Sequence, residues 1–543
     1  MGRAAGLLLI AAAVAAWIVL PTAPGYDTAT HLVWAREILA GRAPDTTALA
    51  APTMHPLWLL LSLPAEPTGA GASLLQLLDL LSLGLVIACV WRLAADVAGF
   101  VAGAVAALAV GSSFALLLLA FKAYVDLPFL ALALLAVVLE RDWRPASGAE
   151  PLISQSGVGE ISGSAPLSVD AAAAEVRAAA SDLLVPGLFL VAGLLRPEAW
   201  GLGLLFLALR WWRGARLVSL VPAAALVLAA PIIWALTDLV LSGDPLYSLT
   251  GTQQLAEALG RKTGLGNAPI ELVKQLGDLT RPPVAAAGLL GAALAVWRIG
   301  WRPLVVPLAP LVAGVIGFLL VGALGLPLLQ RYLLVPAALL GVFAGIAAAA
   351  ILATALGRPL PGALGAGRVA ANDGDAGDMA PAAGGSVAAG APSTALRLAG
   401  VLLLVVANVG VGGYLALKAS SFRVLADGVL REAQWQREGT ALLEQPALRA
   451  ARRCGPVTLP TYRFVSEMLL ATGLRPGEIV SRATELGGAG PQEGGVALTI
   501  TGSKAARTRL GEAAGVPHTT NAVPPGYAFV ARSGPFYATT RCP

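Results

Sequence analysis

The chain has 543 residues, 57% of them hydrophobic and only 13% charged, with a formal net charge of +5. Soluble globular proteins carry about 25% charged residues, so an ordinary soluble enzyme and a disordered scaffold are both excluded. The apolar residues come in long runs and do not alternate, which argues against a transmembrane β-barrel. Runs of about 18 or more apolar residues point instead to an all-α polytopic membrane protein. The sequence pI of about 9.3 does not imply a nucleic-acid partner. The basic residues sit singly at the ends of apolar runs, where they orient a chain in a membrane.

The first run, 4–20, follows Arg3 and precedes Pro21-Thr22-Ala23-Pro24. That sequence is a poor cleavage site, so a retained first helix is expected rather than a signal peptide. Further runs lie near 72–91, 95–120, 124–139, 182–195, 199–210, 217–237, 283–297, 303–325, 332–356 and 396–417, giving roughly eleven spans. A cytoplasmic N-terminus puts Arg92, Arg141, Arg144, Arg210, Arg213, Arg216, Arg298, Arg302, Arg358 and Arg397 on the cytoplasmic side. The opposite side then receives 21–71, 121–124, 238–282, 326–331 and the C-terminal region. A multi-pass plasma-membrane protein is expected. Segments 141–181 and 357–395 read as cytoplasmic linkers. Their cores, Ser147–Asp170 and Gly357–Ser393, lack any apolar period. The stretch Asn372-Asp373-Gly374-Asp375 is not a calcium loop, because alanines and glycines occupy its later ligand positions.

Residues 1–417 thus form the membrane domain, and the composition changes from Lys418 onward. Trp435, Arg437 and Glu438 fit an amphipathic helix. Val457–Leu459, Val496–Thr501 and Tyr527–Val530 read as strands, so 418–543 is expected to be a small α/β extracytoplasmic domain. Outside the cell, Cys454 and Cys542 are expected to pair, the alternative being two free thiols. Cys89 lies within a span and reads as a packing residue.

Charges beside spans are costly to place, so they mark candidate sites. In Gly25-Tyr26-Asp27-Thr28, Asp27 is placed to take a proton from an acceptor hydroxyl. The structural reading makes it the N-cap of a helix starting at Thr28. His31 and His55 share the same outer loop. Their spacing matches no short zinc motif, so a hydrogen-bonding or substrate-facing role is expected ahead of a metal site. Lys122 and Asp126 are spaced i, i+4, either as a helix pair or as a phosphate-facing cation and a site carboxylate. In Arg196-Pro197-Glu198, Pro197 reads as the first helical residue and Glu198 as favoured near the N-terminus, with a cavity-shaping pair as the functional reading. Arg331 in Gln330-Arg331-Tyr332 either snorkels or clamps a phosphate. The loop from Ser242 to Arg281 carries mixed charges and could cover a cleft.

The outer-loop aspartate after a first span, then Arg196-Pro197-Glu198, then Arg331-Tyr332-Leu333-Leu334-Val335-Pro336, resembles the GT-C superfamily. These are membrane glycosyltransferases that use polyprenyl-phosphate sugars. The likeness is to the branch of protein O-mannosyltransferases, aminoarabinose transferases and actinobacterial mannosyl- and arabinosyltransferases. It covers residues 1–417, and the lysine-poor composition resembles that of a high-GC actinobacterium.

The resemblance implies an inverting transfer on the outer face, with Asp27 as general base and Arg331 and Lys122 on the donor phosphate. Asp126, Glu198, Arg196, His55, His31 and Tyr26 would shape the site or bind substrate. Donor and acceptor would be a polyprenyl-phosphate sugar and a cell-envelope glycan, lipid or protein, with membrane lipids as the surroundings. The chain has Asp27-Thr28 where several members have Asp-Glu, and it lacks an Asp-x-Asp motif in this loop. No cofactor and no metal are therefore expected, with a divalent ion left open. The alternatives are a transporter or flippase of a lipid-linked substrate, whose polar groups belong near the midplane, and a non-catalytic assembly protein, indifferent to Asp27→Asn.

Overall fold

The computed structural model describes residues 3–46, 53–143, 169–364, 393–512 and 516–542. Most of the two expected linker cores, including Asn372–Asp375, and Arg144 lie outside the described residues. Among the described residues before 418, the regular structure is helical. Helix α1 (Arg3–Val19) leads into α2 (Tyr26–Leu39) and α3 (Pro56–Ala65). There follow α4 (Gly71–Gly111), α5 (Phe114–Phe121), α6 (Asp126–Asp142), α7 (Val169–Leu195), α8 (Glu198–Trp212) and α9 (Leu217–Ser242). Helices α10 (Tyr247–Ala258) and α11 (Ala268–Thr280) fill the connection from α9 to α12. Helices α12 (Pro282–Ile299), α13 (Val305–Ala323), α14 (Leu334–Ala355) and α15 (Thr394–Leu443) complete the set.

The expected apolar runs fall on helices, but their lengths are uneven. Five helical segments are long and apolar enough to cross a membrane: Gly71–Gly111, Leu217–Ser242, Pro282–Ile299, Arg302–Ala323 and Gln330–Ala355. The expected eleven spans are not reached on that measure. Runs 72–91 and 95–120 meet in α4, which breaks at Ala98 and Gly99. Gly99 takes φ +77°, a conformation open to glycine at little cost. The chain reverses there, and Gly103 returns against Trp91 and Gly111 against Ile87. Helix α7 begins at Val169, inside the segment expected as linker, and α15 runs unbroken through the expected boundary at 417–418.

Helix α14 is the centre of the bundle. Its residues from Leu334 to Ile346 are all buried, and it packs against α4, α12, α13 and α15. Small residues permit this approach, as in other membrane helix pairs. Gly288, Gly291 and Ala295 form one buried stripe on α12, and a Cβ at Gly291 would collide with the Phe343 carbonyl oxygen of α14. At one end of the bundle, arginines and carboxylates pair: Arg210 Nη2 lies 2.8 Å from Glu140 Oε2, and Arg141 pairs with Asp96. Asp27, Lys122, Arg196 and Arg331 gather at the other end.

The C-terminal domain adds α16 (Pro446–Ala451), α17 (Val465–Thr472) and α18 (Lys504–Ala506) to a five-stranded sheet. Strands β1 (Val457–Leu459), β2 (Ile479–Ser481), β3 (Gly495–Ile500), β4 (Ala528–Ser533) and β5 (Phe536–Arg541) lie in the order β2-β1-β3-β5-β4. The β1 pairs are parallel and the β5 pairs antiparallel. Cys454 and Cys542 form the expected disulfide, and Cys89 is free and buried. Arg482 lies buried across the sheet and donates to the Thr458, Leu498 and Thr520 carbonyls at 2.9–3.0 Å. Burial lowers its pKa to about 10. Val33 of α2 joins this domain's apolar core, so α2 is shared between the two halves.

Gly291→Leu is expected to cost about 1–3 kcal/mol or more through overpacking against α14. Thermal unfolding of the detergent-solubilised protein measures this, and an unchanged midpoint would refute the close helix contact. Reducing the Cys454–Cys542 bridge is expected to destabilise the C-terminal domain by about 2–4 kcal/mol. Non-reducing mass spectrometry checks the pairing, and free thiols there would contradict it.

Candidate active site

Helix α2 starts at Tyr26 with Gly25 as N-cap, so Asp27 lies inside the first turn and is not the cap. The turn between α5 and α6 seats this helix. Gly25 N–H donates to the Lys122 carbonyl at 2.7 Å, and the Thr28 hydroxyl donates to the Ala123 carbonyl. Ala123 takes φ +55°, rare for a residue with a Cβ. A Cβ at Gly25 would strike the Tyr124 ring at 2.7 Å, so only glycine fits under that ring.

Asp27 then faces Arg331 from the short helical turn before α14. Arg331 Nη1 lies 3.5 Å from Asp27 Oδ2, and the two side chains are 31% and 20% exposed. This pair is partly exposed. The next pair is sealed. Arg196 Nη1 lies 2.5 Å from Asp126 Oδ1, with the side chains 3% and 1% exposed. Arg196 Nε also donates to Glu198 Oε2 at 3.2 Å. The Arg196 guanidinium sits between the Phe129 and Tyr332 rings, 6.0 and 5.8 Å from their centroids. Pro197 is the N-cap of α8 rather than its first residue, and Glu198 lies in the first turn.

Lys122 and Asp126 do not pair with each other. Lys122 ends α5 and pairs with Glu432 of α15, whereas Asp126 opens α6 and pairs with Arg196. The intervening turn directs the two side chains apart. The histidines are buried, not exposed on the loop. His31 Nδ1 and Nε2 lie 2.6 and 2.9 Å from the Asp27 and Met54 carbonyls. His55 Nδ1 lies 2.7 Å from the Leu195 carbonyl and Nε2 lies 2.6 Å from Thr53 Oγ1. Burial lowers the pKa of both, and for His55 the neighbouring His31, Arg196 and Arg331 lower it further. A neutral His31 ring can donate to only one of its two carbonyl neighbours. Through these contacts the two rings join α2, the start of α3 and the α7–α8 turn. Among the described residues no three His, Cys, Asp or Glu side chains form a metal-binding group. The His31 and His55 ring nitrogens lie against protein oxygens.

The structure thus brings Tyr26, Asp27, His31, His55, Lys122, Asp126, Arg196, Glu198 and Arg331 to one end of the bundle. It also adds groups that sequence reasoning missed. Arg261, after α10, is half-buried, and its pKa is lowered by burial and then by the nearby Arg331 charge. Among the described residues no carboxylate lies within ion-pair distance of it. Its only signal was the Arg261-Lys262 pair between α10 and α11. Glu432 and Glu467 come from the C-terminal half, too far along the chain for spacing to reveal them. Asp79 of α4 is fully buried near Asp126, with neither carboxyl oxygen hydrogen-bonded. It lay unremarked within the apolar run 72–91.

Arg196→Met is expected to destabilise the fold by about 3–5 kcal/mol, because it leaves Asp126 buried without its counter-charge. Arg331→Ala, at the partly exposed pair, is expected to shift unfolding by under about 1 kcal/mol. Melting curves for the two variants measured together test this order, and equal losses would contradict it.

No protein-family model and no curated protein sequence matches the chain. Solved structures do. ArnT from Cupriavidus metallidurans bound to undecaprenyl phosphate aligns over 98% of this chain and 97% of its own, at 15% identity and a TM-score of 0.52. The same protein in the apo state gives 15% identity, the same coverage and a TM-score of 0.51. The Archaeoglobus fulgidus oligosaccharyltransferase tethered with an acceptor peptide gives 14% identity and a TM-score of 0.46, over 86% of this chain and 63% of its own. The membrane bundle and the appended C-terminal domain together have the GT-C fold.

Proposed function

We propose that the protein is an inverting glycosyltransferase that moves a sugar from a polyprenyl-phosphate donor to an acceptor hydroxyl at the outer membrane face. The observation that carries this reading is the partly exposed Asp27–Arg331 pair, with a second arginine, Arg261, close by. It sits on the fold of a protein solved with undecaprenyl phosphate. Two guanidiniums near enough for the charge of one to lower the pKa of the other suit a phosphate.

In this scheme Asp27 takes the proton from the acceptor O–H. The freed oxygen attacks the anomeric carbon and forms the new glycosidic bond. The bond from that carbon to the phosphate oxygen breaks, and its electron pair leaves with the polyprenyl phosphate. Arg331, Arg261 and Lys122 stabilise the charge that develops there. The Asp126–Arg196–Glu198 network holds the ends of α6 and α8 in place beneath the reacting groups. The N-terminus is cytoplasmic and the C-terminal domain extracytoplasmic, which puts the site outside. The acceptor is a cell-envelope glycan, lipid or protein. A transporter would need its polar groups near the midplane on broken helices, whereas the Asp27–Arg331 pair lies at helix ends.

Purified protein in nanodiscs, given a panel of radiolabelled polyprenyl-phosphate sugars and membrane acceptor extract, is expected to transfer label. Asp27→Asn should lower turnover by about 10²–10⁴-fold, the usual contribution of a general base. Turnover retained in that variant would remove Asp27 from its role. Arg331→Ala should raise the donor KM more than it lowers kcat, and an unchanged donor KM would leave Arg331 only its interfacial position.

A further inference from the structure

The lysine of the site is surrounded by carboxyl groups that the C-terminal half supplies. Glu432 pairs with Lys122, and the two side chains are 8% and 11% exposed. Glu467, on α17, is the second such group. It is 8% exposed, and its Oε2 has no hydrogen-bond partner. The charged and titratable groups that face it are Tyr26 and Asp27 from α2, and Lys122 and Tyr124 from the α5–α6 turn. Glu432 of α15 reaches the same lysine.

Helix α17 cannot carry Glu467 away without undoing several contacts. Its N-cap, Phe464, takes φ +72° and stacks on Phe536, with centroids 6.0 Å apart. The Thr30 hydroxyl donates to Ser466 Oγ at 2.7 Å, and Arg36 donates to the Leu469 and Leu470 carbonyls at 3.2 Å. Met468 and Leu469 enter the core of the C-terminal domain. These contacts hold the Glu467 carboxyl in place with one oxygen unsatisfied.

We propose that Glu467 is a positioning residue for the donor phosphate, holding the proton that the site takes up when the phosphate displaces Glu432 from Lys122. This rests on the reading of Lys122 and Arg331 as phosphate-binding groups. A phosphate entering beside Asp27 and Glu432 adds negative charge to a group that already holds several carboxyls. Like charges so close do not all ionise, and one carboxyl must stay neutral. Glu467 suits that task because burial raises its pKa to about 7, with Asp27 adding to the rise and Lys122 opposing it. Neutral, it leaves Lys122 to the phosphate. Ionised, it becomes a further carboxylate competing for the same lysine. Phosphate affinity therefore falls as pH rises through about 7.

The test is binding of undecaprenyl phosphate to the full-length protein in nanodiscs at pH 6 and pH 8, for the wild type and for Glu467→Gln. Glutamine stands in for the neutral carboxyl. Ionisation of the lipid itself acts on both proteins and cancels in the ratio of their dissociation constants. That ratio, wild type over variant, is expected near one at pH 6 and to rise to about tenfold at pH 8, as linkage to one proton requires. Glu467→Ala should give the same trend, so the result does not hang on one variant folding. A ratio equal at both pH values overturns this role for Glu467 and leaves the transferase reading standing. Absence of binding to the wild type at either pH overturns both.

Discussion

The end of the bundle that holds Asp27 depends on Arg196. Its guanidinium is nearly sealed from solvent and answers Asp126 on α6 and Glu198 on α8, between two aromatic rings. A buried carboxylate beside such an arginine is tolerable only while the arginine is there. One of those rings belongs to Tyr332, the residue after Arg331. The Leu195 carbonyl, one residue before Arg196, meets His55 at the start of α3. A single buried cation thus fixes the relative positions of α6, α8, the turn before α14 and the loop that carries Asp27. It also leaves Arg331 over, facing Asp27. The sealed ion pair holds the helix ends together, and the Asp27–Arg331 pair beside it stays partly exposed.

Helix α2 links this end of the bundle to the second half of the protein. One side of it is bound to the α5–α6 turn through Gly25 and Thr28. Another lies against α17 through Thr30, Val33 and Arg36. The candidate base therefore sits between two cores, and the C-terminal domain closes one wall of the site. That domain can hold Glu432 and Glu467 in register because its own core is stiff, with a fully buried central strand β3 and Arg482 cross-linking three carbonyls. A covering domain alone would need neither carboxyl.

Much of this was legible in the sequence. The apolar runs placed the helices, because a bilayer imposes length and composition directly. Asp27, Lys122, Arg196 and Arg331 stood out because a charge beside a span is costly, and the cysteine pair stood out because both lie in the C-terminal region expected outside. Connectivity in space was harder. The i, i+4 spacing of Lys122 and Asp126 suggested a helix pair, but the turn at Ala123 breaks the helix between them. Gly99 hid a reversal within what reads as continuous apolar sequence. Arg261 left only the Arg261-Lys262 pair as a signal, and Glu432 and Glu467 left none, since their meaning comes from tertiary contacts with residues far along the chain. His31 and His55 lie against protein oxygens, and their burial depends on α3 and α7 closing over them.

The central claim is that a lipid phosphate binds between Arg331 and Arg261, next to Asp27. Electron cryomicroscopy of the protein in nanodiscs loaded with undecaprenyl phosphate tests it most directly. The account predicts phosphate density within hydrogen-bonding distance of both guanidiniums, with the lysine side chain at 122 turned from Glu432 toward it. Phosphate density elsewhere on the molecule, with the Asp27–Arg331 pair undisturbed, would contradict it.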